Sequence, residues 1–299
     1  DSVYGCWGDI DDPYYGGAHY GNMLRVVTPA IKAADPQAKV WIGGLLLDKP
    51  QPDPGTGHPE LFFQGILEAC RVSPAVDCFD ILPYHWYPHY LQPNIDPDTA
   101  FGNWSSLGGG TVGKARFLRN IMQSYGVNKP LFLNELGVGC REGNTYCDPP
   151  NGTTFFEEQA DYAVRAFTRA LSENIMGYIW YTLDAPGWRN TNLLNADNTP
   201  RPVYTAYKHF IQRMSFSRYI APVNDYGGEI EAYAFDRDQQ QIHILWMKNY
   251  KSVPLTVSVP QSKFVAAYNR DGIPISPIFS GGYAQIPAGF SPVYIVRLP

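Results

Sequence analysis

The chain has 299 residues, of which 44% are apolar and 17% are charged, and its formal net charge at pH 7 is -5. This composition excludes a disordered chain and leaves room for one large domain and a small one. The negative charge argues against nucleic acid or an anionic membrane as the main partner, and no apolar run is long enough to span a bilayer.

Apolar residues at helical spacing alternate with short apolar runs along the first two thirds of the chain. Turn formers and aromatic residues without periodicity come first, over 1–18. The predicted order is then a helix over 19–34, a buried strand over 39–44, a helix over 60–69, a strand over 79–84, a helix over 111–125, a strand over 131–133, a helix from 154, a strand over 176–184 and a helix over 202–214. Strands that alternate with helices predict a parallel sheet.

Polar and aromatic side chains follow three of these strands. They are His85 and Tyr87, then Glu135, then Trp180 and Asp184. In a (β/α)8 barrel the carboxyl ends of the strands form the face on which active sites are built. A doubly wound sheet also binds ligands there, but no glycine-rich phosphate loop follows any strand here.

Glu135 stands at the end of the buried strand in Lys-Pro-Leu-Phe-Leu-Asn-Glu-Leu-Gly, over 129–137. A charged side chain at the end of a buried strand costs free energy unless it is paired with an opposite charge or takes part in the function of the protein. We favour a functional carboxylate over one that only caps the strand or forms an ion pair.

The pattern changes near residue 217 to short alternating strands separated by turn residues. This predicts a small antiparallel β domain, a sandwich. We favour a packing role for it over carbohydrate binding.

Cysteine spacing predicts local disulfides. Cys70 and Cys78 flank one loop, and Cys140 and Cys147 flank another, although sequence does not fix connectivity and free buried thiols are the alternative. Metal binding is disfavoured because no CxxC motif or His cluster accompanies them, and we expect no metal and no cofactor. Disulfides would indicate a secreted or cell-surface protein. Cys6 is left over, which suggests a partner outside this chain.

These segments resemble the retaining (β/α)8 glycoside hydrolases of clan A, especially the xylosidase, arabinofuranosidase and glucuronidase-like families with an appended β-sandwich. The segment over 129–137 is similar to strand 7 of that clan, 79–87 to strand 6, 177–184 to strand 8, and 197–207 to the exit into helix 8. The resemblance implies the C-terminal part of a (β/α)8 TIM barrel over 1–215, from the loop after strand 4 through helix 8, followed by a β-sandwich over 216–299.

The resemblance also assigns roles to particular residues. It makes Glu135 the catalytic nucleophile, to which His85, Tyr87 and Asn134 are candidate hydrogen-bond donors. For His85 the alternative is a structural histidine, and for Trp180 a core role. The implied substrate-binding residues are Asn134, His85, Tyr87, Trp180 and Trp188.

One part of the clan pattern is missing from this sequence. The general acid/base of the clan is a glutamate in an Asn-Glu-Pro segment after strand 4, and no such segment occurs here. Because 39–44 aligns with strand 5, we expect strands 1–4 and the acid/base upstream of Asp1, or on a companion polypeptide that supplies the N-terminal half-barrel. Replacement of the acid/base by Asp9, Asp11 or Asp12 is disfavoured, because these are loop residues.

The predicted function is hydrolysis, with retention, of a β-linked or arabinofuranosyl oligosaccharide or polysaccharide of plant or microbial type. One alternative is a non-catalytic carbohydrate-binding or surface-assembly protein on the same barrel. A metal-dependent hydrolase is a third, for which His85 and His89 are the only close histidine pair, and both lie in one loop.

Overall fold

The computed structural model describes residues 7–52, 55, 57–100, 102–141, 143–147, 152–184 and 188–299. Cys6 lies outside this part of the chain, so its expected partner stays a prediction. No helix in the described ranges is long and apolar enough to cross a membrane.

Helices and strands alternate through the first two thirds of the chain, and strands follow. The helices are α1 (Gly17–Ala34), α2 (Phe62–Arg71), the short α3 (Pro97–Ala100), α4 (Gly110–Ser124), α5 (Gly152–Ser172) and α6 (Pro202–Met214). The strands are β1 (Leu82–Trp86), β2 (His89–Tyr90), β3 (Leu131–Leu136), β4 (Gly139–Cys140), β5 (Tyr178–Trp180), β6 (Arg218–Pro222), β7 (Ile230–Arg237), β8 (Gln240–Met247), β9 (Leu255–Pro260), β10 (Phe264–Asn269), β11 (Ile278–Ser280), β12 (Tyr283–Ala288) and β13 (Val293–Arg297). The fold is mixed α/β, as predicted.

The chain packs as two units. The first comprises Asp1–Tyr87, Asp98–Leu136 and Ile175–Trp180, and the second comprises Pro88–Pro97, Gly137–Asn174 and Tyr181–Pro299. Both are discontinuous in sequence, and the domain boundary between 215 and 216 stays a prediction.

The first unit contains a parallel sheet in the order β1-β3-β5. The segment over 39–44, predicted to be a buried strand, joins β1 only through parallel bridges from Trp41 to Ile81 and from Leu45 to Tyr84. Trp41 is 40% exposed. Val40 and Ile42, on either side of Trp41, are 6% and 3% exposed. The segment is therefore an edge of the sheet that is paired only at isolated bridges and buried on one face, and not the continuous strand that was predicted.

Helices α1 and α2 pack closely in the first unit because a glycine lies between them. A Cβ atom at Gly21 would lie 2.7 Å from Ala69 Cβ and 2.8 Å from the Ile66 carbonyl oxygen. Helix α1 ends at Ala34, because the residue before Pro36 is disfavoured in a helix. The predicted disulfide Cys70–Cys78 is present just beyond α2.

In the second unit helix α5 packs on α6, with the Phe167 ring 4.8 Å from Tyr207 and 5.4 Å from Phe210. The buried Arg169 of α5 binds Asp96 at 2.7 Å and Glu231 of β7 at 2.9 Å. These ion pairs hold the segment over 88–97 and strand β7 to the helix.

The antiparallel strands predicted beyond residue 217 are present in the second unit, in two sheets. Their orders are β10-β13-β8-β7-β6 and β11-β12-β9. Both sheets contribute to one apolar core, formed by Ile230, Ala232, Leu245, Met247, Val257, Val259, Ala267, Ala284, Ile286, Ala288, Val293 and Ile295. The second predicted disulfide, Cys140–Cys147, follows the short strand β4.

Candidate active site

Strand β3 contains one residue more than its neighbours. Leu133 pairs with Tyr84 of β1, and Glu135 pairs with the next residue, His85, so Asn134 has no counterpart on β1. The pairing with β5 shows the same extra residue on β3. Bulges of this kind redirect side chains and are frequent beside active sites.

The bulge changes the face of the strand on which Glu135 lies. In a regular strand Glu135 would share the face of Leu131 and Leu133, which are 1% and 0% exposed. The Glu135 side chain is instead 36% exposed. Leu136 is 0% exposed and returns to the buried face. The extra residue therefore takes the carboxylate out of the core.

Two side chains from the end of β1 contact the same oxygen of Glu135. The Tyr87 hydroxyl donates to Oε2 at 2.7 Å, and His85 Nδ1 lies 3.4 Å from that atom. Hydrogen bonds to an ionised group are about twice as strong as neutral ones, so the phenol holds the carboxylate firmly.

Gly44, which has no Cβ atom, leaves room for the His85 ring and the Asn134 side chain. A Cβ atom at Gly44 would lie 2.5 Å from His85 Cδ2 and 2.7 Å from Asn134 Nδ2. Burial lowers the pKa of His85, the Glu135 carboxylate opposes this shift, and the Lys114 ammonium adds to it. The imidazole is therefore neutral at neutral pH.

Lys114 of α4 lies beneath the end of β1 and is only 1% exposed. Its Nζ donates to the His85 carbonyl at 2.9 Å and to the Leu46 carbonyl. The amine also lies 4.8 Å from the centre of the Trp86 ring and 5.7 Å from that of Trp104. One buried side chain thus connects the backbone on both sides of the His85 ring.

Asp98, which is completely buried, holds the next residue of β1. Its Oδ1 accepts from Trp86 Nε1 at 2.7 Å and from the Thr111 amide at 3.1 Å. Burial lowers the pKa of Lys114 to about 7, against the opposing effect of Asp48 and Asp98. The two indoles, the carboxylate and the amine form a buried support under the residues that contact Glu135.

The two predicted tryptophans differ in their surroundings. Trp180 is 5% exposed and pairs with Leu136 across β3 and β5, so its predicted stacking role stays a prediction. Trp188 belongs to the second unit and is 41% exposed, with His89 6.4 Å away between ring centres. Its role in substrate binding also stays a prediction.

Lys114, Asp98 and Gly44 were not singled out by the sequence. Lys114 lies among Gly113 and Ala115 at the start of a helix, where a lysine is ordinarily solvated. Its only sequence signal is the small size of these neighbours, which permits close packing.

A carboxylate held by a phenol and still accessible can act as a nucleophile or as a general base. Within the described ranges, no group of three or more His, Cys, Asp or Glu side chains could hold a metal ion.

Solved structures similar to this one are glycoside hydrolases. A family 39 glycoside hydrolase from Bacteroides cellulosilyticus WH2 matches 97% of this chain with a TM-score of 0.65 at 20% identity. An alpha-L-arabinofuranosidase from Thermotoga maritima matches 98% of it (TM-score 0.59, 15% identity), and a GH30 endoxylanase from Clostridium papyrosolvens C71 matches 95% (TM-score 0.56, 12% identity). The chain has a glycoside hydrolase fold.

The chain corresponds to only part of each of these glycoside hydrolases. The chain spans 57%, 66% and 61% of the length of the three structures, respectively. No protein-family model and no curated protein matches the chain. At these identities the likeness establishes the fold, and activity has to be argued from the site.

Proposed function

We propose that the protein is a retaining glycoside hydrolase in which Glu135 is the nucleophile. The observation that carries this proposal is the bulge in β3, which exposes Glu135 at the end of a buried parallel strand and places Oε2 2.7 Å from the Tyr87 hydroxyl. Both contacts from β1 fall on Oε2, which leaves Oε1 to attack the anomeric carbon. The glycoside hydrolase fold supports this assignment.

The neutral His85 suits this role. A protonated imidazole 3.4 Å from Glu135 would form an ion pair with the carboxylate and weaken it as a nucleophile. Because burial and Lys114 lower the pKa of His85, the ring stays neutral and can bind a sugar hydroxyl. Asn134 and Trp180 are the other residues to which we assign sugar contacts.

A retaining hydrolase needs a second carboxylate about 5–5.5 Å from the first, to protonate the leaving oxygen and then activate water. We propose that this group is supplied by further parallel strands that complete a (β/α)8 barrel, of which the segment over 39–44 and β1, β3 and β5 are one part. The edges support this: in the described residues β5 pairs only with β3, and Ile179 and Trp41 are 52% and 40% exposed. Open edges with apolar side chains are normally covered.

The proposed substrate is a β-linked or arabinofuranosyl oligosaccharide or polysaccharide. The similar structures include an arabinofuranosidase and an endoxylanase, which supports this class. We also propose that the protein is secreted or displayed at the cell surface, which the two disulfides support. The two antiparallel sheets are proposed to form a β-sandwich with a packing role.

The test is covalent trapping in the protein with the strands that complete its sheet. A 2-deoxy-2-fluoro glycoside with a good leaving group should add one sugar mass to the peptide that contains Glu135. Glu135→Gln should abolish this label and lower turnover of an aryl glycoside on the order of a thousandfold or more, as for other nucleophiles.

Glu68→Gln is the matched control, because Glu68 also accepts a tyrosine hydrogen bond in the first unit, from Tyr125 at 2.5 Å. The Glu68→Gln variant should still be labelled by the fluoro glycoside and should turn over the aryl glycoside at the unchanged rate. Unchanged turnover in Glu135→Gln would remove Glu135 from the role. Sugar binding without turnover or label would favour the non-catalytic carbohydrate-binding alternative.

A further inference from the structure

A basic and aromatic cluster, formed by His89, Arg141, Trp188 and Arg189, lies on the second unit. His89 of β2 pairs with Gly139 of β4, and Arg141 follows β4 directly. Arg189 Nη1 lies 3.2 Å from His89 Nε2, and its guanidinium carbon lies 4.4 Å from the centre of the Trp188 ring. The cluster thus joins a two-stranded sheet to the turn over 188–190.

The turn that carries Trp188 has an unusual backbone. Arg189 and Asn190 have φ values of 50° and 62°, in the left-handed region that side chains other than glycine seldom adopt. Such conformations persist where surrounding contacts hold them, and they are frequent in ligand-binding segments.

Hydrogen bonds from two other elements fix this turn. The Asn190 carbonyl accepts from Gln159 Nε2 at 2.9 Å and from Arg201 Nη1 at 3.1 Å. The Trp188 carbonyl accepts from the Thr191 amide at 3.0 Å and from its hydroxyl at 2.7 Å. The side chains of the turn therefore project from a rigid base.

Strand β4 packs against the same turn from the other side. A Cβ atom at Gly139 would lie 3.3 Å from Arg189 Cβ and 3.4 Å from Trp188 Cζ3. The indole nevertheless remains 41% exposed. A large aromatic surface held in this way is suited to stack on the apolar face of a ring.

The charge of the cluster is not compensated by the described residues. No ion pair joins Arg141 or Arg189 to a carboxylate of the ranges that the structure describes, and both side chains are exposed. Burial lowers the pKa of His89, and Arg189 and Arg141 lower it further. Two guanidinium groups thus create a positive potential beside an exposed indole.

We infer that this cluster is a binding site for a saccharide unit that carries an anionic group, a carboxylate or a sulfate. Trp188 stacks on the sugar ring, and Arg189 binds the anion with its planar fork of donors, oriented by His89. Arg141 adds charge. The saccharide part of this inference rests on the proposed function, and the anionic part rests on the cluster alone.

The test is binding of matched probes to the full chain, followed by NMR of the tryptophan indole N–H groups. The probes are methyl β-D-glucopyranoside, the corresponding methyl glucuronide and the methyl glucoside 6-sulfate. The better anionic probe should bind about tenfold more tightly than the neutral one, as one charge-assisted hydrogen bond predicts. This preference should weaken as salt is raised.

Two variants separate the contributions. Arg189→Gln should remove the preference for the anion, and Trp188→Ala should weaken all three probes. Arg218→Gln is the matched control, since Arg218 is an 81% exposed guanidinium on β6 paired with Asp236. It should bind as the unchanged protein does.

Each outcome decides a separate point. Tighter binding of the glucuronide assigns a uronate, and tighter binding of the sulfate assigns a sulfated sugar. Equal affinity for neutral and anionic probes, or a preference that survives Arg189→Gln, would overturn the inference. Acetate that competes as well as the glucuronide would overturn its saccharide part. The preference for the anionic probe should persist in Glu135→Gln, so failure of hydrolysis and failure of this site are distinguishable.

Discussion

Tyr87 is the residue on which the orientation of Glu135 depends most. Its hydroxyl donates to Glu135 Oε2 at 2.7 Å, whereas His85 is 3.4 Å away and neutral. A carboxylate that is 36% exposed can rotate in solvent unless such a bond fixes it. The phenol therefore fixes the carboxylate, and, if Glu135 is the nucleophile as proposed, this orientation before substrate binds would lower the cost of reaching the transition state.

We predict that Tyr87→Phe lowers kcat/KM for an aryl glycoside about tenfold to a hundredfold, the range expected for one hydrogen bond to a charged group. The measurement is steady-state kinetics of the chain together with the strands proposed to complete its sheet. Tyr125→Phe is the control, because Tyr125 makes the corresponding bond to Glu68 at 2.5 Å. A Tyr87→Phe variant as active as the control would contradict the proposal that this bond positions Glu135 for attack.

Helix α4 supports strand β1 through a buried amine. Lys114 donates to the carbonyl of His85 and to that of Leu46, and it contacts two indole faces. An apolar side chain at this position would leave both carbonyls without a donor, at about 1–3 kcal/mol each. These bonds keep the amine in place although burial disfavours its charged form, and they link the helix to the end of β1 that contacts Glu135.

The lowered pKa of Lys114 predicts a pH dependence of stability. Its pKa is about 7 in the folded chain and 10.5 as the ordinary value, so between these pH values the unfolded chain binds one more proton. The free energy of unfolding should therefore rise by roughly 1.4 kcal/mol for each pH unit between about 7 and 10.5, and this group should give no pH dependence below 7. Urea unfolding at pH 7, 8 and 9 measures the slope.

The free energy of unfolding of Lys114→Met should not rise with pH in this range, and at pH 9 it should be lower than that of the unchanged protein. Leu118→Ala is the control, because Leu118 is a completely buried residue of the same helix that does not titrate. It should lower stability at every pH and keep the slope. A slope that persists in Lys114→Met would assign it to other groups.

Across the chain as a whole, neutral buried histidines make the fold sensitive to acid. His209 of α6 and His243 of β8 are 8% and 4% exposed. Burial, together with the positive charge of Arg213 and Arg297, respectively, lowers the pKa of each from 6.5 to about 4, against the smaller opposing effects of Asp271 and Asp225. Between pH 6.5 and 4 the unfolded chain binds more protons at these positions, so stability is lost as the pH falls.

We predict that His243→Gln reduces the loss of unfolding free energy between pH 6.5 and 4.5 by about 1.4 kcal/mol for each pH unit, the value for one proton. Denaturant titrations at these two pH values provide the measurement. Ile242→Val, a neighbouring substitution that changes no titratable group, should lower stability equally at both. The prediction would be contradicted if His243→Gln and Ile242→Val lost the same unfolding free energy between pH 6.5 and 4.5.

The sequence by itself determined the alternation of the longer helices and strands, because apolar periodicity and turn residues act locally, but it did not predict the short elements α3, β2 and β4. Helix α6 begins and ends where it was predicted, at Pro202 and Met214, since proline is favoured in the first helical turn. Cysteine spacing favoured both short-range disulfides over free buried thiols, and the structure contains them. The position of Glu135 after a buried apolar run identified the candidate nucleophile.

Only the tertiary structure decided how that carboxylate is presented. Regular alternation would place Glu135 with Leu133 in the core, and the extra residue Asn134 becomes visible only when β3 is paired with its neighbours. The bond from Tyr87 joins residues 48 positions apart, and the burial of Lys114 likewise depends on elements distant in sequence. Register and packing are properties of paired elements, so no local pattern in one segment could specify them.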